Sequence, residues 1–271
     1  MRGSFQRFPA IVLAGERNGV ADPLAAEHGV AHKFLVPIAG EPLVAHVLRA
    51  LADCSEVSCV YVSTQAPAAL ESIPVAAELR ASGRLCVLPA RPNLVDSVLA
   101  AAEKAGCPAL VTTADNVLLT PEGTHAFVRG ATRAGADVAI ALARKRDVLA
   151  AHPRGQLRFY EFADDAYSNC NLFWFGAERG LAASESFREG GQFAKHPRRI
   201  LRAFGALNLI AFRFRLRSLG ATTRALSRRF GVGIEAVVLE DGALAIDVDN
   251  ARTRDVAEAL LTARAKGMTP A

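Results

Sequence analysis

Apolar residues in the first half of the chain come in short continuous blocks: AIVLA at 10–14, SCVYVST at 58–64, LCVLP at 85–89, ALVTT at 109–113 and DVAIAL at 137–142. Blocks of this length, bounded by Gly, Pro or polar residues, read as strands buried on both faces. Between them lie stretches with helical spacing, at 43–52, 67–80, 94–104 and near 122–133, and a short apolar run at 34–38 precedes the first. Strands alternating with helices predict βαβ units with right-handed crossovers around a mostly parallel sheet.

The pattern then changes. QLRFYEF (156–162) and NCNLFWF (169–175) flank Asp164-Asp165-Ala166 and predict antiparallel strands joined by a turn. Two further apolar runs, 236–241 and 243–249, predict strands before a closing helix from about 253 to 266. With no internal repeat and no low-complexity linker, one mixed-sheet α/β domain over 1–271 is expected, elaborated at about 150–235.

Composition narrows the class. A hydrophobic fraction of 51% with 22% charged residues describes a globular chain. Its long uncharged stretches, such as 57–70, fall short of the roughly 20 apolar residues that span a bilayer. The apolar run near the N-terminus reads as a first strand rather than a signal peptide, which predicts a cytoplasmic protein. Five cysteines at irregular spacing, with no CxxC, read as buried thiols in a reducing compartment. The net charge of +5 is unevenly placed: residues 188–229 hold eleven Lys or Arg and one acid, so the remainder is net negative.

Candidate chemistry lies where strands end, because ligands of open α/β sheets gather outside the carboxyl ends of the strands. The first strand ends in Leu13-Ala14-Gly15, a turn where backbone N–H groups can approach phosphate, and Lys33 follows as a point charge. Asp115 closes the strand 109–113 and can hold Mg²⁺ against triphosphate oxygens. Asp247 and Asp249 share a face if 243–249 is a strand, so both could approach one ion; as residues beside a helix start they could equally be caps.

LAG followed by a lysine and LVPIAGEPLV, then TADNVLLTPE, and finally IDVDN before the last helix, together resemble the MobA-like NTP transferases. The resemblance covers about 9–142 and 236–262. It implies a Rossmann-like, GT-A-type nucleotidyltransferase fold, a mixed, mostly parallel sheet with helices on both faces. It also implies a reaction in which an NTP is joined to a phosphorylated acceptor with release of pyrophosphate. Leu13, Ala14 and Gly15 would wrap the triphosphate, Lys33 would neutralise the α-phosphate, and Asp115 with Asp249 and Asp247 would bind Mg²⁺. The first loop departs from the family pattern: Glu16 and Arg17 follow Gly15 at once, and Lys33 comes late. Arg17 would take the place of the family's arginine.

The segment 91–99 resembles the arginine-to-serine-valine stretch beside the base in cytidylyltransferases, which implies a nucleotide contact for Ser97 and favours CTP over GTP. Asn171 resembles an acceptor-side asparagine. Lys195, Arg198 and Arg199 follow a Gly-Gly turn and could grip an acceptor phosphate. Over 199–217 a helical period gathers Arg199, Arg202, Arg213 and Arg217 on one face. This predicts a basic amphipathic helix that packs its apolar side on the core or lies on an anionic membrane, although Gly205 interrupts it. The alternatives are a molybdenum-cofactor guanylyltransferase and a non-catalytic nucleotide-binding or membrane-docking protein. Nucleic acid is not expected as a partner, since no recognised binding motif accompanies the arginines.

Overall fold

A computed structural model describes residues 7–16, 22–184 and 205–267. Arg17, Lys195, Arg198, Arg199 and Arg202 lie outside the described residues. The first half runs β1 (Phe8–Leu13), α1 (Pro23–Glu27), a 3₁₀ turn at Lys33–Leu35, β2 (Pro37–Ile38), β3 (Glu41–Pro42), α2 (Leu43–Asp53), β4 (Val57–Thr64), α3 (Pro67–Glu71), α4 (Pro74–Ala81), β5 (Leu85–Pro89), α5 (Leu94–Ala105), β6 (Ala109–Thr113) and α6 (Pro121–Arg133). There follow β7 (Val138–Arg144), α7 (Lys145–Ala151), β8 (Tyr160–Glu161), β9 (Ala166–Phe175), α8 (Glu178–Ser184), α9 (Ala206–Arg213), α10 (Leu219–Phe230), β10 (Ile234–Leu239), a 3₁₀ turn at Gly242–Ala245, and α11 (Ala251–Ala265).

The large sheet has the order β10-β7-β9-β6-β1-β4-β5, with β8 paired to β9. Strand β9 runs antiparallel to β6, β7 and β8, and the other pairings are parallel. From β1 the chain steps outward to β4 and β5, then returns to place β6 on the opposite side of β1. The gap between the ends of β1 and β6 is therefore a topological switch point.

Both sheet faces are buried, which is why β1 shows no alternation. Ala10 and Val12 pack with α2, α6 and α11 side chains in the larger core, while Ile11 and Leu13 pack under Val98 and Ala101 of α5. The second face is roofed by α5 at one end. At the other, Leu219 of α10 meets Leu142 and Tyr167.

Four expectations need correction. The helix at 67–80 is two helices, because Pro74 has no N–H to continue the first and starts the second. The strand expected at 156–162 pairs only over Tyr160–Glu161. The run 243–249 is not a strand; it is the 3₁₀ turn followed by unpaired chain. The single helix over 199–217 does not form: Gly205 sits at the start of α9 with φ +79, and the helix stops at Phe214 before Arg215 at φ +54. Arg217 instead donates to Asn208 Oδ1 at 2.6 Å, and Leu207, Phe214 and Leu216 remain 77%, 65% and 65% exposed rather than packed on the core.

Candidate active site

The end of β1 is tied to both neighbouring strands: the Ala14 amide donates to the Ser63 carbonyl of β4, and the Ala114 amide, just after β6, donates to the Leu13 carbonyl. This sets the 14–16 loop beside the 114–116 turn. Gly15 is needed there for closeness, since a Cβ would lie 2.9 Å from Ala90 Cβ and 3.2 Å from Gln65 Oε1. Gln65 grips the next residue twice, accepting from the Glu16 amide at 3.0 Å and donating to its carbonyl at 3.1 Å. The Glu16 carboxylate turns toward His32 Nδ1 at 3.2 Å.

Asp115, Asp247 and Asp249 converge at the switch point, each offering one carboxylate oxygen within 4.8 Å of the others. One backbone bond joins this late stretch to the turn after β6: the Val248 amide donates to the Asp115 carbonyl at 3.0 Å. Extended chain on either side of that bond lets both flanking aspartates reach Asp115 without a strand. The capping alternative fails for α11. Asn250 is its N-cap, accepting from the Thr253 amide while Thr253 Oγ1 accepts from the Asn250 amide, so neither aspartate is used for the task.

Lys33 enters this group from the 3₁₀ turn, with Nζ 2.6 Å from Asp115 Oδ2 and 3.0 Å from Asp249 Oδ1. Burial pulls its pKa down, but the charges and hydrogen bonds of Asp115 and Asp249 outweigh that and raise it. The ammonium is thus fixed in its charged form. Asp247 is held differently, accepting from Gln156 Nε2 at 2.9 Å and Asn171 Nδ2 at 3.0 Å. Burial, then the negative charges of Asp249 and Asp115, push its pKa up from 3.8 to about 7.

Asn171 reaches Asp247 because β9 is irregular there. It has φ +50, the left-handed region that Asn tolerates better than most residues, and its amide donates to Asn169 Oδ1 at 3.0 Å. Behind it, buried Asn116 donates to the Cys170 carbonyl at 3.0 Å and to Thr112 Oγ1 at 3.2 Å, tying β9 to β6. Ser97 is buried in α5, and its Oγ accepts from the Arg91 amide at 2.9 Å, so it fixes the 91–93 loop beside Gly15. Gln156, Asn169 and Gln65 carried no motif in the sequence, and only their partners in space mark them, whereas Asn116 lies within TADN.

The donor set fits Mg²⁺. Asp115 Oδ1 is buried with no hydrogen-bond partner, and three carboxylates face one lysine, leaving excess negative charge and hard oxygen ligands. A cavity of about 450 Å³ opens from these groups along Gly15, Glu16, Asp22 and Lys33. A second, of about 610 Å³, opens on the other side of Asp115 and Asp249 against the second sheet face.

This is a nucleotidyltransferase framework, and the family model for the MobA-like NTP transferase domain matches residues 10–211. The chain belongs to the MobA-like NTP transferase family. A hypothetical transferase from Thermus thermophilus is 25% identical, with a TM-score of 0.76 over 92% of this chain and 100% of that one. CMP:2-keto-3-deoxy-manno-octonic acid synthetase complexed with CTP is 14% identical, with a TM-score of 0.56 over 94% and 99%. The 2-C-methyl-D-erythritol 4-phosphate cytidylyltransferase of Thermus thermophilus is also 14% identical, at 0.51 over 95% and 100%. No curated protein matches the sequence. No helix among the described residues is long and apolar enough to cross a membrane.

Proposed function

We propose that this member of the family is a Mg²⁺-dependent nucleotidyltransferase that transfers a nucleoside monophosphate, from CTP in preference to GTP, to a small phosphorylated acceptor. The observation that carries the reading is the convergence of Lys33 with Asp115, Asp247 and Asp249 at the switch point. Segment 91–99 and the likeness to a synthetase solved with CTP support the choice of nucleotide.

Asp115 and Asp249, with Asp247 as a third ligand, would hold Mg²⁺, which when bound supplies Lewis-acid polarisation of phosphate oxygens. Gly15 lets the triphosphate lie against the 14–16 loop. Lys33 neutralises charge on the α-phosphate while Asn171 and Gln156 keep Asp247 aimed at the same point. An oxygen of the acceptor's ionised phosphate adds to the α-phosphorus as the bond to the pyrophosphate oxygen breaks, so no protein group need take a proton. Positioning and charge neutralisation suffice. Arg17 for the triphosphate, and Lys195, Arg198 and Arg199 for the acceptor phosphate, complete the proposed site from outside the described residues.

Pyrophosphate release with Mg²⁺ and each of the four ribonucleoside triphosphates, against phosphorylated polyols, sugars and alkyl chains, tests this directly. Release with CTP that Asp115→Ala abolishes is the expected result. Absence of any Mg²⁺-dependent nucleotide binding would overturn it.

Peripheral contact with an anionic membrane is a second reading, favoured by exposed Leu207, Phe214 and Leu216 beside Arg213 and Arg215. Equal recovery of the protein with phosphatidylglycerol and phosphatidylcholine vesicles would dismiss it.

A further inference from the structure

The cavity of about 610 Å³ lies on the second sheet face, in the gap between α5 and α10. Its wall is made by Val98 of α5, Val138 and Ile140 of β7, Phe173 of β9, and Leu226 and Phe230 of α10. The polar residues lining it all gather at one end: Thr112 and Thr113 at the end of β6, Asn169 and Asn171 of β9, and the three aspartates. Among the described residues no lysine, arginine, serine or histidine lines it. Asp115 and Asp249 border both this cavity and the nucleotide-side cavity.

We infer that the acceptor is an amphiphile, a phosphate monoester on an apolar body, whose phosphate meets the aspartate end while its hydrocarbon lies along Ile140, Phe173 and Phe230. This deepens the nucleotidyltransferase reading and rests on it. An acceptor reacting at the edge that the two cavities share has its remainder in the second cavity. There a polyol or sugar would surrender hydrogen bonds to water and find none in the wall, whereas an apolar body gains from burial. The volume suits a small-molecule site, for which about 300–1,000 Å³ is usual. In the reaction a phosphate oxygen of the amphiphile bonds to the α-phosphorus of the nucleotide. The bond from that phosphorus to the departing pyrophosphate breaks with its electron pair, and a diphosphate linkage to the apolar body results with no change of oxidation state.

The test is calorimetric binding of butyl, hexyl and octyl phosphate to the full chain in Mg²⁺ without nucleotide, with glycerol 3-phosphate as the polar comparison. Mg²⁺–CTP binding is measured separately on the same protein. Each methylene that enters the wall should tighten binding about fourfold, from about 0.8 kcal/mol per buried CH₂. Phe173→Ser should flatten that series and leave CTP binding unchanged. Its melting temperature shows whether it is folded, and Leu226→Ser serves if it is not.

A series without chain-length dependence, or tighter binding of glycerol 3-phosphate, would overturn the inference. So would dependence that emerges only when residues 185–204 are replaced by a Gly-Ser linker, because that segment would then be the occupant. Loss of CTP binding alone speaks against the nucleotidyltransferase reading. Loss of the chain-length series alone speaks only against the amphiphile.

Discussion

Lys33 and Asp115 meet at 2.6 Å although 82 residues separate them, and the same ammonium lies 3.0 Å from Asp249. The lysine is a counter-ion to an acidic centre before any ligand arrives. Its removal therefore has two consequences of opposite metal dependence. Lys33→Met leaves three carboxylates facing each other without a cation, so the melting temperature in EDTA should fall at neutral pH, and Mg²⁺ should restore much of the loss. Turnover with Mg²⁺ should remain down by about 10²–10³, the usual effect of losing one stabiliser of transition-state charge. A variant as stable as the parent in EDTA would show that the ion pairs contribute nothing.

Asp247 gives a pH dependence with a defined sign. Its carboxyl is raised from 3.8 to about 7, chiefly by burial and then by Asp249 and Asp115. As pH rises between those values the unfolded chain releases this proton while the folded chain keeps it. Stability falls through that window and stays lower above it. Asp247→Asn cannot ionise and avoids the loss. In EDTA the variant should be more stable than the parent at pH 8 and close to it near pH 4. In saturating Mg²⁺ the order should reverse, because the carboxylate is then a ligand. Urea titrations at the two pH values, with and without Mg²⁺, measure all four quantities.

Much of this arrangement was legible in the sequence, and the reason is physical. Strands such as Ile11–Leu13 and Val111 are buried on both faces, so the apolar blocks are continuous and their order gives the α/β class. Lys33, Asp115 and Asp249 were marked by family motifs, although only Asp115 follows a strand end. Two kinds of feature were hidden. Pro74 splits a helical pattern whose spacing continues across it. The 243–249 run has the alternation of a strand but finds no partner, since its backbone turns at Gly242 and bonds to Asp115. Gln156 was hidden differently. Its role is its distance from Asp247, across 91 residues with little regular structure around it.

Asn171 separates a backbone contribution from a side-chain one. Its φ of +50 costs a residue with a Cβ roughly 1 kcal/mol, which glycine avoids. Asn171→Gly should therefore keep stability close to the parent, whereas Asn171→Ala should lose about 1 kcal/mol. Both remove the 3.0 Å bond to Asp247 Oδ2 and should weaken Mg²⁺-dependent nucleotide binding alike. If only the alanine variant binds weakly, the backbone turn, not the amide, orients Asp247.

Gly242 links the fold to the site. A Cβ there would overlap the Asp147 carbonyl where α7 crosses the 3₁₀ turn, and backbone cannot swing aside as a side chain can. Gly242→Ala should thus push the turn from α7, at a cost of about 1–3 kcal/mol as for other overpacked sites. The displaced turn leads straight into Asp247 and Asp249, so binding of Mg²⁺ and nucleotide should fall along with stability. Leu70→Ala in α3 is the control: it removes a fully buried side chain in the core and costs about 2–5 kcal/mol, with no route to the aspartates. At a temperature where both variants are folded, nucleotide binding should be weakened at least tenfold in Gly242→Ala and unchanged in Leu70→Ala. Equal weakening in both would mean that the site responds to overall stability and not to the seat of its turn.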